Sequence, residues 1–186
     1  MNEIKFKDTK NDLLFSINDG ESIVLHSLDN KPVTVECHYI DSQYFRFSGY
    51  KFSFWEFAKM VEENSCIFHP ENRKVKTYSI YQIDKIENRS YVFMDYDFSK
   101  DKINARDYQK VYMGMMSDKT TLEYLFLKHN EDYRPFAKKM RSLSVSDVIV
   151  IDDGRQQKAY YTDSIGFVEI PKFIHQLKKE KQEAVR

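Results

Sequence analysis

The sequence predicts an α+β fold made of two consecutive small modules, each a short, mostly antiparallel sheet with one or two packed helices. Three observations carry that expectation. Apolar and polar residues alternate with period two in both halves, most clearly where Val33, Val35, Cys37 and Tyr39 interleave with Thr34, Glu36 and His38. Hydroxyl-led helix starts follow in each half, Ser53 with Glu56 and Thr120 with Glu123, spacings at which each pair can satisfy two orphan amides. Between the halves, Pro70-Glu71-Asn72-Arg73-Lys74 raises polarity and stops the periodicity, as a linker does. The modules are expected at 1–72 and 77–177, with a charged tail at 178–186.

Taken in order, residues 1–12 are charged and aperiodic, which reads as a frayed arm. Strands are expected from Ile23 to Leu28 and from Val33 to Tyr39, joined by the turn signal Asp29-Asn30-Lys31-Pro32. A short strand from Tyr44 to Phe47 ends at Ser48-Gly49. The helix opened by Ser53 carries Phe54, Phe57, Ala58 and Val61 on one face and runs to about Asn64.

In the second module, strands are expected at Thr77 to Ile83 and at Tyr91 to Met94. Asn104 with Asp107 reads as a short helix start, while Val111-Tyr112-Met113 reads equally as strand. Thr120 opens a helix with Leu122, Leu125, Phe126 and His129 on one face, stopped by Asn130. Asp147 to Ile151, then Asp152-Asp153-Gly154-Arg155, then Lys158 to Asp163 predict a hairpin. Pro171 suits a first helical position and leads into Phe173, Ile174 and Leu177.

Composition excludes several classes. Apolar residues are 41% and charged residues 31% of the 186, a globular balance rather than a disordered one. Twenty-nine basic side chains offset 29 acidic ones, so neither bulk capture of nucleic acid nor a strongly acidic DNA mimic is the design. Two cysteines, Cys37 and Cys66, form no CxxC and no disulfide framework, and read as core residues in a reducing compartment. No stretch of 18 apolar residues occurs and the N-terminus is too polar for a secretory signal, so a cytoplasmic protein without a membrane partner is expected.

The second module resembles the YodL-like domain of proteins carried by mobile genetic elements in low-GC Gram-positive bacteria. The resemblance rests on Tyr108-x-x-Val111-Tyr112-x-Gly114 and Thr121-Leu122-Glu123. Above all it rests on the run Arg141 to Val150 and on Ala159-Tyr160-Tyr161-x-Asp163-Ser164-x-Gly166-Phe167-x-Glu169-Ile170-Pro171-x-Phe173. One departure is the basic stretch 134–141, where the family pattern leads one to expect a more acidic connection. The resemblance implies a setting on conjugative elements and prophages, beside genes that blunt host restriction and CRISPR defences. A two-module protein of this size is also similar to some inhibitors of type II-A CRISPR systems. The expectation is therefore a counter-defence inhibitor of a type II CRISPR nuclease, whose partners are the effector, its guide RNA, or both, acting without cofactor. A guide-RNA ribonuclease and a non-catalytic adaptor of a conjugative element stand as alternatives.

Three groups of residues could carry such a role. Arg134, Lys138, Lys139 and Arg141, with Tyr133 and Phe136 among them, form the densest cationic cluster, and Arg73 and Lys74 extend it if the linker folds back. A solvated loop balanced by Glu131 and Asp132 is the other reading. Ser142, Ser144 and Ser146 alternate with Leu143 and Val145; as a strand entry they would put three hydroxyls on one face, for a partner or for nearby backbone. Glu36 and His38 lie two apart on the polar face of one strand and can reach one phosphodiester. With a basic neighbour such as Arg46 they make a minimal metal-free ribonuclease set, or else an ordinary solvated face. No histidine pair has zinc spacing, and Asp152-Asp153-Gly154 lacks the remaining calcium ligands, so no metal site is expected.

Overall fold

The computed structural model describes residues 3–26, 32–63, 67–69 and 75–184. The expected turn residues 29–31, the linker 70–74 and Cys66 lie outside them. The architecture is α+β. It divides into two compact units, Met1–Thr77 with Gly114–Thr120, and Tyr78–Met113 with Thr121–Arg186. The short return of 114–120 to the first unit is not visible in the polarity profile that suggested a single boundary near residue 72.

In the first unit, β1 (Glu3–Lys7) and β2 (Leu13–Asn18) form a two-stranded antiparallel ribbon. The arm expected over residues 1–12 is thus a strand from Glu3. Its five residues alternate, with Glu3, Lys5 and Lys7 outward and Ile4 and Phe6 buried. The ring of Phe6 lies 4.8, 4.9 and 5.0 Å from those of Phe15, Phe45 and Phe57. Burying such a ring contributes about 2–3 kcal/mol, enough to hold a terminal strand in place.

The larger sheet of this unit comprises β3 (Ser22–His26), β4 (Pro32–Tyr39), β5 (Tyr44–Phe47), β6 (Tyr50–Ser53) and β7 (Ile67–His69), in the order β6-β5-β4-β3-β7. The alternation of β4 holds at its centre, where Val35 and Cys37 are buried, while Val33 and Tyr39 overhang into solvent. Helix α1 (Phe54–Glu62) follows β6 without a loop. Ser53 caps it as expected: its hydroxyl accepts from the Glu56 amide, and the Glu56 carboxylate accepts from the Ser53 amide. Phe57, Ala58 and Val61 are its buried face.

The second unit contains β8 (Thr77–Ile83), α2 (Tyr96–Ser99), β9 (Tyr108–Met115), α3 (Leu122–Lys128), β10 (Val148–Asp152), β11 (Gln157–Thr162), β12 (Phe167–Glu169) and α4 (Pro171–Ala184). The strand order is β12-β11-β10-β8-β9. Its core gathers Tyr108, Val148, Val150, Ala159, Tyr161, Phe173 and Ile174. The β10–β11 hairpin forms where expected, with the Asp153 carboxylate accepting from the Arg155 and Gln156 amides in the turn.

Several boundaries differ from expectation for local reasons. Tyr91 to Met94 is a turn, not a strand: Phe93 takes φ +61°, Tyr91 dives into the core, and its hydroxyl donates to Asp107 at 2.8 Å. Asn104 caps a 3-10 turn at Ala105–Asp107 and β9 begins directly after it, so both readings of that stretch apply. Helix α3 is capped by Thr121 rather than Thr120, whose hydroxyl instead closes a turn with the Ser117 amide. The charged tail is helical to Ala184, and Arg106 reaches Glu183 at 2.8 Å. Among the described residues, no helix is long and apolar enough to cross a membrane.

Candidate functional site

The period-two geometry of β4 sends Val35 and Cys37 into the core and leaves Glu36 and His38 on the opposite face. Burial pushes the Cys37 thiol up to about 12, which keeps it a neutral core group. The backbone that carries the pair is clamped on both sides. The Cys37 amide donates to the Glu21 carbonyl at 3.0 Å, the Gly20 amide to the Cys37 carbonyl at 2.8 Å, and the Glu36 amide to the Ser48 hydroxyl at 3.0 Å. Gly20 holds φ +81°, so any other residue would strain the turn that brings Asp19 alongside.

His38 lies between two carboxylates. Its Nε2 is 3.3 Å from Glu36 Oε1 and its Nδ1 is 3.6 Å from Asp19 Oδ1. Asp19 is itself fixed, because the same oxygen accepts from the Tyr39 amide at 2.9 Å. The β4–β5 register sets Arg46 directly opposite His38, and the β5–β6 register sets Lys51 opposite Arg46. Lys51 Nζ rests 3.7 Å from the centre of the Tyr44 ring. The His38 and Glu36 side chains are 45% and 55% exposed, so a polymer can reach both. The face therefore combines a carboxylate, an imidazole with a second carboxylate 3.6 Å from its Nδ1, and two cations one strand apart. That set can take a hydroxyl proton, protonate a leaving oxygen and neutralise a phosphate. Glu36, His38 and Arg46 were legible as neighbours. Asp19 and Lys51 were not, since only strand register joins them to the pair; the Asp19-Gly20 turn dipeptide was the available signal.

The cationic loop is brought together less. Lys138 and Lys139 are exposed, and Tyr133 is fully so. Arg134 is partly buried. Arg141 turns inward and grips the fully buried Asp147 through both terminal guanidinium nitrogens, Nη1 at 2.9 Å, with Nη2 on the other carboxylate oxygen. Asp147 also accepts from the Ser144 amide at 2.8 Å and from Gln82 Nε2 at 3.0 Å. Burial pushes its carboxyl up to about 6, against the opposing pull of Arg141 and these donors. Arg73 and Lys74 lie outside the described residues.

Nor do the serines line one strand face. Residues 141–147 form an irregular loop, with Ser146 at φ +76° and wholly buried. Its hydroxyl accepts from the Phe93 amide at 3.0 Å and its carbonyl from the Tyr108 hydroxyl. The Ser144 hydroxyl donates to the Ser142 carbonyl, which also accepts from Gln82. The alternation arises from a turn built around Asp147, and the Ser144 and Ser146 hydroxyls bond nearby backbone.

Asp95 caps α2 by accepting from the Phe98 amide, and Asp97 faces Lys100 at 3.4 Å. Among the described residues no group of three or more His, Cys, Asp or Glu is arranged to hold a metal ion.

No curated protein and no solved structure matches the chain. The model of the YodL-like domain matches residues 77–173, just over half of the 186. That span takes in the Arg141–Asp147 turn, and the β10–β11 hairpin and the start of α4, whose buried side chains close the core of the second unit. On that match the chain belongs to the YodL-like domain family.

Proposed function

We propose that this protein is a counter-defence factor of a mobile genetic element, and that it disables a type II CRISPR nuclease by acting on the guide RNA at the exposed sheet face of the first unit. Two things support the reading. The chain belongs to the YodL-like domain family, and the sequence resemblance to that family is what suggests a mobile-element setting. The observation that carries the chemistry is His38 held between Glu36 and Asp19 with Arg46 in register opposite.

On that face Glu36 takes the proton of a ribose 2′-hydroxyl, and the oxygen attacks the adjacent phosphorus. Protonated His38 gives its proton to the departing 5′-oxygen. Arg46 and Lys51 offset the charge that builds on the phosphate. A CRISPR effector holds its guide in a basic channel and needs it whole for target pairing, so one scission in the paired region disables it.

The test adds the protein to guide RNA before effector, or to the assembled complex, and follows target-DNA cleavage and complex assembly on native gels. The reading expects cleavage to fail when the guide meets the protein first. Full cleavage in both orders, with several type II effectors, contradicts it. Lost assembly over an intact guide overturns the chemistry and favours a blocker, for which the exposed Lys138 and Lys139 are the residues to change.

A further inference from the structure

A cavity of about 330 Å³ opens beside α1 on the inward face of the larger sheet of the first unit, the face opposite Glu36 and His38. Its floor is the buried Val35, Phe47 and Phe57, and the half-buried Leu25, Phe52 and Met60 form its walls. Val33 and Tyr50, 54% and 76% exposed, stand at the mouth. Thr34 and Ser48 complete the lining, which includes no charged side chain.

We infer that this cavity binds a compact, neutral, aromatic small molecule, held by apolar contact and by one hydrogen bond from Ser48. The volume falls at the lower end of the range of small-molecule sites, and an apolar lining with a few placed polar groups is their usual chemistry. Of the lining, only Val33 and Tyr50 project as exposed apolar groups, too few for the core of a protein interface. The occupant therefore enters the cavity rather than lying across it.

The lining selects the ligand class. With no cation to meet it, a carboxylate drawn inside would lose its water without compensation, so the ligand is neutral. Phe47 lies 5.9 Å from Phe52 and 6.0 Å from Phe57, centre to centre, and the second pair meets at 75°. A flat ring extends this cluster by the same edge-to-face and offset contacts, and the Met60 thioether favours an aromatic neighbour. Ser48 supplies the polar anchor. It holds φ +42° in the turn between β5 and β6, where glycine or asparagine is the favoured residue. Its hydroxyl oxygen accepts from the Glu36 amide at 3.0 Å, which leaves the hydroxyl hydrogen to donate to an acceptor on the ligand. The site does not depend on the RNA-directed reading, which uses the other face of the sheet.

The test titrates the full chain with Prodan, a neutral naphthalene dye bearing one ketone, whose emission moves to the blue in apolar surroundings. The result expected is a saturable blue shift at one dye per chain, reversed by acetylnaphthalene. Naphthoate, the same ring with a carboxylate, competes roughly tenfold less well or worse. Val33→Trp, which fills the mouth, weakens dye binding by roughly tenfold or more while the variant melts as a folded protein. Ser48→Gly, which removes the hydroxyl and eases the backbone, weakens acetylnaphthalene by roughly tenfold and leaves ethylnaphthalene, which has no acceptor, unchanged. Absence of a saturable shift overturns the inference. So does equal competition by naphthoate on the wild-type chain, a result that needs no variant to fold. Undiminished dye binding to folded Val33→Trp, or equal loss of both competitors in Ser48→Gly, overturns it as well.

Discussion

Arg46 sits directly across the β4–β5 ladder from His38, so an imidazole flanked by Glu36 and Asp19 and a guanidinium share one exposed sheet face. Removing this arginine separates chemistry from folding. Arg46→Ala deletes an exposed side chain and is expected to change stability by no more than about 0.5 kcal/mol. It should lower guide-RNA scission by roughly 10²-fold, the scale of losing one group that stabilises developing charge. Thermal melts beside a single-turnover scission assay check both halves; a variant with wild-type scission removes Arg46 from the site.

The second unit depends on the Arg141–Asp147 pair. Breaking it from either side leaves a buried charge without its partner, and Arg141→Met or Asp147→Asn alone is expected to cost about 3–5 kcal/mol. The double variant should cost clearly less than the sum, because neither charge remains to be stranded. Denaturant unfolding of the four proteins gives the coupling, and additive losses would show that the pair is not a unit.

Acid sensitivity has an assigned source in His129. It is fully buried, with Nε2 3.0 Å from the Tyr78 hydroxyl and its ring edge-on to Tyr112. Burial, with Lys128 and Arg134 nearby, lowers it to about 3. The unfolded chain takes up this proton below about pH 6.5 and the folded one does not, so the stability it contributes is complete above 6.5 and lost as pH falls toward 3. Asp147 has the opposite sign: raised to about 6, its contribution is complete below 3.8 and lost as pH rises through 6. His129→Gln should therefore lose stability at pH 7, and its deficit against wild type should shrink by about 1.4 kcal/mol per unit between pH 6 and 4. Parallel stability curves for the two proteins would refute the assignment.

Phe6 anchors the N-terminal strand. Phe6→Ala is expected to destabilise the first unit by about 3–5 kcal/mol, since it empties a site between Phe15, Phe45 and Phe57. Lys7→Ala, on the outward face of the same strand, should be nearly silent. Denaturant unfolding that ranks the two equally would return the segment to an arm.

That strand also shows where the sequence is legible. Alternation of apolar with polar residues marks β4 and β5, and the apolar run Val148–Val150 with its turn residues marks the β10–β11 hairpin. In β1 only Ile4 and Phe6 point inward, and three charged neighbours conceal them. Local chemistry identified the Ser53 cap and Pro171 at the head of α4, both decided within one turn. It failed at Phe93 and Ser146, two non-glycine residues with positive φ that hydrogen-bond each other across 53 positions, since no local pattern encodes that bond. The candidate site divides the same way: Glu36 and His38 are neighbours on one strand, whereas Asp19 and Lys51 join them only through register.

The most direct measurement of the central claim incubates end-labelled guide RNA with the wild-type protein, Glu36→Gln and His38→Ala, and resolves the products on a denaturing gel. The account predicts a shortened guide with wild type and an intact guide with either variant, all three melting alike. A guide left whole by wild type, or shortened equally by the variants, would contradict it.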